Sequence, residues 1–183
     1  GAIGHTFSRH DFSLKWTFGE MVLAGPSAGI RWCLGQTVSA YLGLCELIPD
    51  PVPEGFLQIL NSTAAHMPTV AAKSVDLVCM DPPYYNNVQY AELSDFFYVW
   101  QRRTLGDLYP DLFTRSLTNK SEEAVANPFR HGGKEAAKKA YEKMLSEIFC
   151  ECARVLKDEG VMTLMFTHKQ QDAWETLINA LID

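Results

Sequence analysis

The sequence predicts an α/β fold in which helices flank a mostly parallel sheet. Val75–Met80 is a short, nearly continuous apolar segment, which is typical of a strand that is covered on both faces of a parallel sheet. Residues 161–167 form a second segment of this kind. Long helical patterns lie between the two segments and after the second one, which is the succession expected of parallel strands joined by helical crossovers.

Before the first strand, the spacing of apolar residues predicts a helix over residues 30–48. Residues 25–29 contain two glycines without a G-x-G spacing, and Pro26 removes one backbone N–H donor, so a plain loop is predicted there rather than a cofactor loop. Residues 56–60 are predicted to form another short strand. The helix face expected to be buried consists of Trp32, Val38, Tyr41, Leu42, Cys45 and Ile48.

After the first strand, an aromatic helix, an irregular insertion, a long helix and a final helix are predicted. Residues 106–133 are polar and irregular, and a segment of this length is either mobile or contacts and gates a target. A helix over residues 134–156 is closed by a charged turn at 157–160, and an amphipathic helix covers residues 172–182. The aromatic helix carries an apolar stripe that is predicted to belong to the core: Leu93, Phe96, Phe97 and Trp100.

The first strand ends abruptly in Asp81-Pro82-Pro83-Tyr84. Each proline fixes its own φ and cannot donate to a sheet ladder, so a rigid corner is predicted at the carboxyl end of the strand, where ligands bind in open α/β sheets. The Asp81 carboxylate and the Pro82 carbonyl could accept both hydrogens of a planar amino group, while Tyr84 offers a ring for stacking a flipped base. The alternative is a plain turn in which Asp81 caps the next helix.

Four polar and aromatic residues follow the corner and precede the helix, so they are predicted to line a substrate pocket. They are Tyr85, Asn86, Asn87 and Tyr90.

The corner resembles the catalytic motif of the S-adenosylmethionine-dependent amino-methyltransferases, which modify N6 of adenine or N4 of cytosine. The longer string DPPYYNNVQYAELSDFFYVW, from Asp81 to Trp100, is similar to large prokaryotic adenine-specific DNA methylases that carry an N-terminal domain of unknown function and often belong to phage-defence loci. The likeness extends from about Phe12 to the end of the chain. It implies a Rossmann-like class I methyltransferase fold, S-adenosylmethionine as cofactor, and a flipped adenine in DNA as substrate. The catalytic residues that it implies are Asp81, Pro82, Pro83 and Tyr84.

The resemblance is weaker on the side of the methyl donor. Related methyltransferases have an acidic residue that contacts the donor's adenine, where this sequence has Asn61, Ser62 and Thr63; these three are the predicted cofactor contacts. The family's Gly-rich donor turn, upstream of the catalytic motif, has no counterpart in the sequence. We therefore expect residues 1–183 to form one incomplete methyltransferase domain, corresponding to the C-terminal portion of such an enzyme. Its expected partners are DNA, the remainder of the enzyme, or a second copy that pairs along an exposed sheet edge.

The composition of the chain narrows the remaining classes of function. The net charge of −6 is unfavourable for a self-sufficient DNA binder, so any basic surface is expected to be local or to lie on another domain, and Arg102 and Arg103 are candidates for a phosphate contact. The lysines of residues 134–143 alternate with glutamates and predict a solvated helix face. Five cysteines in apolar segments predict reduced core thiols, and neither a metal site, a membrane span nor a signal peptide is expected, which favours a cytoplasmic protein.

Two other functions stay open from the sequence. The corner could serve methyl transfer to another planar amine, such as cytosine N4, adenine in RNA or a protein glutamine. It could also hold a base or a partner without transferring a methyl group.

Overall fold

The computed structural model describes residues 29–48, 51, 53–55 and 57–182, which belong to two compact units. The described residues up to 61 belong to the first unit, and residues 62–182 belong to the second. The loop predicted at 25–29 lies outside the described residues, apart from Gly29. No helix within these ranges is long and apolar enough to cross a membrane. In chain order, the elements are α1 (Ile30–Leu47), β1 (Val75–Met80), α2 (Tyr90–Leu105), a 3-10 turn (Pro110–Leu112), α3 (Pro128–His131), α4 (Lys134–Val155), β2 (Leu156–Leu164) and α5 (Gln171–Ile182).

Helix α1 confirms the predicted helix in the first unit, but not its burial. All six side chains of the predicted buried face are exposed, so that prediction is wrong. An amphipathic pattern identifies the face that can be buried, but burial itself also requires a packing partner, and α1 has no buried residue. The strand predicted at 56–60 is also wrong, because residues 57–60 are irregular and exposed; Phe56 lies outside the described residues. A short apolar run becomes a strand only where another strand accepts its backbone hydrogen bonds.

The second unit contains a parallel pair of strands joined by a helical crossover, as predicted. Leu77 lies opposite Val161, and the pairing continues to Met80 opposite Leu164. The ladder extends past β2, since the Met165 N–H donates to the Met80 carbonyl at 3.0 Å. This arrangement is compatible with the predicted α/β class, while the Rossmann-like methyltransferase fold stays a prediction.

Strand β2 begins and ends earlier than the sequence predicts. The predicted strand covers residues 161–167, but the observed one starts at Leu156 and ends at Leu164. The charged turn predicted at 157–160 lies inside β2, as a break in its register against β1. Two N–H groups just before β1 donate to the last two carbonyls of α4, which have no partner within the helix. The end of α4 is therefore drawn against β1, and pairing starts before the charged turn.

The hydrophobic core lies on one face of this sheet, beneath α4 and α5. Side chains alternate along β2, so that Met162, Leu164 and Phe166 contact the core. The core residues contributed by the two helices are Ala137, Tyr141, Leu145, Phe149, Ala173, Leu177 and Ala180. Tyr141 and Leu145 are fully buried, which makes the middle of α4 the centre of the packing.

The other face of the sheet is open. Leu77, Val161 and Met165 are 57%, 56% and 58% exposed, and Cys79 is exposed as well. The prediction that β1 is covered on both faces is therefore wrong in the described part of the chain. A continuous apolar run shows that both faces of a strand can be buried, whereas burial itself depends on the layers that the rest of the chain supplies.

Helix α2 does not use its aromatic stripe as core. Phe96, Phe97 and Trp100 are 46%, 49% and 56% exposed, so the prediction of a buried stripe is wrong, and Ala91 is the one buried residue of this helix. Leu93 is half-buried. The periodicity correctly identifies a helix and an apolar face, but α2 is fixed in place by polar contacts near its start.

Arg130 ties the segment before α4 to the start of α2. Its Nε and Nη2 donate to the two carboxylate oxygens of Glu92, and its Nη1 lies 2.6 Å from Oε2 of Glu123. Glu123 Oε1 accepts in turn from the Ala91 N–H at 2.8 Å. Hydrogen bonding with Arg130 lowers the pKa of Glu92, which keeps the pair ionised. These contacts anchor the end of the 106–133 insertion to the start of α2, while the mobile and the target-contacting alternatives both stay predictions.

The burial of each cysteine depends on which face of its helix or strand carries it. Cys152 on α4 is buried, so the prediction of core thiols is right for it and wrong for the four exposed cysteines: Cys33, Cys45, Cys79 and Cys150. These four lie on amphipathic helices or on the open face of β1.

Replacing Leu145 by alanine should lower the free energy of unfolding by about 2 to 5 kcal/mol, because it opens a cavity at the centre of the core. The matched control is Leu108→Ala, whose side chain is 70% exposed and whose loss should change stability by less than about 0.5 kcal/mol. Urea unfolding of the two variants measures both values. Equal effects would contradict the placement of the core beneath α4.

Candidate active site

The corner begins where β1 ends and reverses the chain through two tight turns. The Tyr85 N–H donates to the Pro83 carbonyl at 3.0 Å, and the Asn87 N–H donates to the Tyr84 carbonyl at 3.1 Å. Tyr85 has a φ of 56°, in the left-handed region that bulky residues rarely adopt. Since two prolines and two turns leave the backbone few alternatives, the corner holds a fixed shape.

Tyr141 of α4 connects the corner to the core. Its fully buried side chain donates from the hydroxyl to the Pro83 carbonyl at 2.8 Å and accepts from the Tyr85 N–H at 3.3 Å. The Tyr85 ring packs edge-on against the Tyr141 ring, with centroids 5.3 Å apart. Burial raises the pKa of Tyr141 to about 12, so its hydroxyl remains a donor at neutral pH. The corner thus has a rigid support from the helix that also carries the core.

The Asp81 carboxylate and the Pro82 carbonyl remain as acceptors. Asp81 is exposed and pairs with no cation in the described part of the chain. Nor does any described N–H or O–H donate to the Pro82 carbonyl, whereas the Pro83 carbonyl receives two hydrogen bonds. The alternative in which Asp81 caps the next helix does not fit, because Gln89 occupies the N-cap position of α2.

Tyr84 lies beside these acceptors. Hydrogen bonding with the Asp81 carboxylate is the main cause that raises the pKa of Tyr84, and the charge of Tyr90 contributes in the same direction. A carboxylate can accept several hydrogen bonds, so this contact leaves capacity on Asp81 for a ligand. Asp81, Tyr84 and Tyr90 are therefore close together, as the sequence predicts.

An aromatic row supports the Tyr84 ring. Phe166, just after β2, meets Tyr84 at a centroid distance of 5.5 Å and an interplanar angle of 70°, and Trp174 of α5 meets Phe166 at 5.0 Å and 85°. The Trp174 Nε1–H donates to the His168 carbonyl at 3.0 Å, which fixes the far end of the row. Because the contact with Phe166 is T-shaped, Tyr84 retains ring surface on which a planar ligand can stack.

Tyr85 and Asn86 belong to a separate polar cluster. The buried Tyr85 donates from its hydroxyl to Asp172 Oδ2 at 3.3 Å, and Lys138 forms an ion pair with the same carboxylate, whose pKa it lowers. Asn86 Oδ1 lies 3.3 Å from His168 Nε2. The cleft lined by this cluster has a volume of about 170 Å³. Small-molecule sites typically have about 300 to 1,000 Å³, so these residues are better suited to support the corner than to enclose a base.

The residues predicted to line a substrate pocket thus divide into two groups. Tyr90, the first residue of α2, is 50% exposed and lies near Tyr84, and Asn87 is exposed in the turn between them. Tyr85 is a core residue whose hydroxyl is already bonded, and Asn86 is exposed but contacts His168. The structure brings Tyr90 and Asn87, more than Tyr85, to the accessible side of the corner.

Sequence reasoning missed three residues that shape the site: Tyr141, Phe166 and Trp174. A signal existed for Phe166, because it falls at the carboxyl end of a predicted strand, and the carboxyl ends of parallel strands share one edge of a sheet. Tyr141 and Trp174 lie on helices, where the sequence predicts which face is apolar but not which residues that face contacts. Their roles follow only from the packing of α4 and α5 against the strands.

The predicted cofactor contacts form no cluster with the corner in the described part of the chain. Thr63 Oγ1 accepts from the Ala65 N–H at 3.2 Å and so closes its own turn. Thr63 lines a cleft with side chains from the middle of α4, to which Asp81 does not contribute. Ser62 is exposed, and Asn61 belongs to the first unit. Among the described residues, these three form no cradle for S-adenosylmethionine, and their role as cofactor contacts stays a prediction.

Comparison with known protein families, with curated proteins and with solved structures finds no match to this chain. The functional inference therefore depends on the geometry of the corner and on the motif itself.

Replacing Tyr141 by phenylalanine should lower the free energy of unfolding at pH 8 by roughly 1 to 3 kcal/mol, because the half-buried Pro83 carbonyl loses one of its two donors. The pKa of this hydroxyl is raised from 10.0 to about 12 in the folded protein. Its stabilising effect is therefore complete below pH 10 and is lost as the pH rises from 10 through 12.

Urea unfolding at pH 8 and at pH 11 measures the effect. The difference between the unaltered protein and Tyr141→Phe should be smaller at the higher pH. Tyr109→Phe, at a side chain that is 54% exposed, is the control and should cost little at either pH. A difference that grows with pH would contradict the assigned role of the hydroxyl.

Proposed function

We propose that the corner binds the amino group of a flipped adenine in DNA and that the protein serves S-adenosylmethionine-dependent methylation of adenine N6. One observation supports this above all others. The Asp81 carboxylate and the Pro82 carbonyl, at the carboxyl end of β1, have no ion pair or backbone donor among the described residues, and they lie beside the half-buried ring of Tyr84. The family resemblance of the motif selects adenine in DNA among planar amines.

Each group at the corner has a distinct role in this proposal. Asp81 and the Pro82 carbonyl accept the two N6 hydrogens, which orients the amine and increases the electron density on its nitrogen. Asp81 is also the base nearest to the proton that the nitrogen loses when it gains a methyl group. Stacking of a base on an aromatic side chain such as Tyr84 contributes about 1 to 3 kcal/mol, which helps to offset the cost of unstacking it from the duplex.

S-adenosylmethionine, when bound, supplies an electrophilic methyl group on a sulfonium. It enters the proposal through the resemblance, because the described residues do not form a cradle for it. What this chain's own residues provide is the binding and the orientation of the acceptor.

Replacing Asp81 by alanine should lower the rate of adenine methylation by at least about 100-fold, the typical loss when one aligned electrostatic contact to the reacting group is removed. Mass spectrometry of nucleosides, after incubation of the protein with DNA and isotope-labelled S-adenosylmethionine, detects N6-methyladenine. Asp76→Ala is the matched control, because it removes a surface carboxylate from the same strand, paired only with Lys157. Its rate should stay within about twofold of the unaltered protein.

Methylation that persists in Asp81→Ala would rule out this role for the corner. Calorimetric titration with S-adenosylmethionine tests binding of the methyl donor separately from binding of the DNA base. Asp81→Ala should bind S-adenosylmethionine as well as the unaltered protein does. Label found on cytosine, RNA or a protein glutamine instead of DNA adenine would preserve the amine-binding role and overturn the substrate. If the protein binds DNA in the absence of S-adenosylmethionine and transfers no methyl group, a non-catalytic binding function would be favoured.

A further inference from the structure

A second concave site lies at the far end of α2 from the corner. It is a cavity of about 510 Å³ between the last turns of α2 and the irregular segment that follows. Its lining includes Arg102, Arg103, Asp107, Phe113 and Ser116. This volume falls within the range of about 300 to 1,000 Å³ that ligand sites usually have.

The two arginines of this cavity are not engaged by carboxylates. Arg130 and Arg154 each lie within an ion pair, at 2.6 Å from Glu123 and 2.7 Å from Glu151. In the part of the chain that the structure describes, no such pair involves Arg102 or Arg103. Part of their role is explained by their position, because cations are favourable in the last turn of a helix. A helix end does not, however, require two adjacent arginines to line one cavity.

The surroundings of the arginines suit a phosphate group. The Arg103 guanidinium lies 5.9 Å from the centroid of the Trp100 ring, a cation–π contact that restricts its orientation. The Ser116 hydroxyl is a further donor in the lining, and planar guanidinium groups bind phosphate oxygens with two hydrogen bonds. Asp107 is the opposing charge, so that the lining carries two cationic side chains and one anionic one.

We propose that this cavity, the Arg102–Arg103 site, binds a backbone phosphate of the nucleic acid whose base occupies the corner. The proposal rests on the function proposed above. Helix α2 connects the two places, because it starts at Tyr90 beside Tyr84 and carries Arg102 twelve residues later. At 1.5 Å per residue this is about 18 Å, and since phosphates follow one another at about 3.4 Å along one strand of a duplex, the contact falls about five nucleotides from the target base.

The negative net charge of the chain favours a local site of this kind. At −6, the protein as a whole repels nucleic acid, so that affinity must come from a few placed cations. Phosphate contacts position a nucleic acid without reading its sequence. The Arg102–Arg103 site would therefore set the register of the strand, while the corner selects the base.

The test measures binding of the 183-residue chain to fluorescent single-stranded DNA that carries one central adenine among thymines. Oligonucleotides of about 21 and about 5 nucleotides are compared, because the shorter one cannot reach a site about five nucleotides from the target. The double variant Arg102→Ala/Arg103→Ala should bind the long oligonucleotide about tenfold more weakly, and its salt dependence should fall by about one phosphate contact or more. On the short oligonucleotide the variant should equal the unaltered chain.

Two further variants control for charge and for folding. Lys139→Ala/Lys143→Ala removes the same number of charges from exposed positions of α4 and should change affinity by less than about twofold. Asp107→Asn removes the opposing charge and should tighten binding of the long oligonucleotide, an effect that a misfolded variant would not produce. Thermal unfolding of each variant verifies that the fold is retained.

Several results would overturn the site. They are equal losses in the arginine and lysine double variants, no binding of the long oligonucleotide by the unaltered chain, or weaker binding in Asp107→Asn. Calorimetric titration with inorganic phosphate distinguishes the source: binding of phosphate that requires both arginines, without any dependence on DNA length, would assign the cavity to a free anion. The methylation test is independent, because a variant at Asp81 that retains methylation removes the corner's role and leaves the DNA-binding result unchanged.

Discussion

The hydrogen bond from Tyr141 to the Pro83 carbonyl is the constraint on which the site depends. It joins the fully buried part of α4 to the segment that carries the proposed amine-binding groups. Without it, the two prolines would still stiffen the corner, and Tyr84 and Tyr85 would keep their contacts with Phe166 and Asp172, but Pro83 would lose its link to the centre of α4. Because the donor is a buried phenol with a raised pKa, the contact persists over the whole physiological pH range. The core and the site are therefore stabilised together.

The same contact divides the acceptors of the corner into structural and available ones. Neither proline has an N–H, so the segment presents more acceptors than donors. The Pro83 carbonyl is satisfied from Tyr141 and Tyr85, which leaves the Pro82 carbonyl and the Asp81 carboxylate for a ligand. A planar amine supplies the two donors that this pair lacks. In the proposed function, this surplus of acceptors distinguishes the corner from a plain turn.

The sequence predicted the corner better than its surroundings, for a physical reason. Local constraints determine the corner: the prolines act on their own φ and on that of Asp81, whatever the rest of the chain does. The helices and the parallel pairing were also predictable, because periodicity is a local property. Burial was not: the stripe of Phe96 and Trp100 is exposed, and so is Leu77, because burial depends on partners distant in sequence. Tyr85 was assigned to a pocket and packs in the core for the same reason.

Pairing distinguishes structural cations from those available to a ligand. Arg130 is half-buried between Glu92 and Glu123, and removing a partner from such a group is costly because a buried charge is left uncompensated. An exposed arginine gains at most about 1 kcal/mol from an ion pair, so selection for stability has little effect on whether Arg102 and Arg103 are paired. Their joint presence in one cavity is then better explained by what they bind than by what they stabilise. In an acidic chain, two such arginines also reduce locally the repulsion that a polyanion meets.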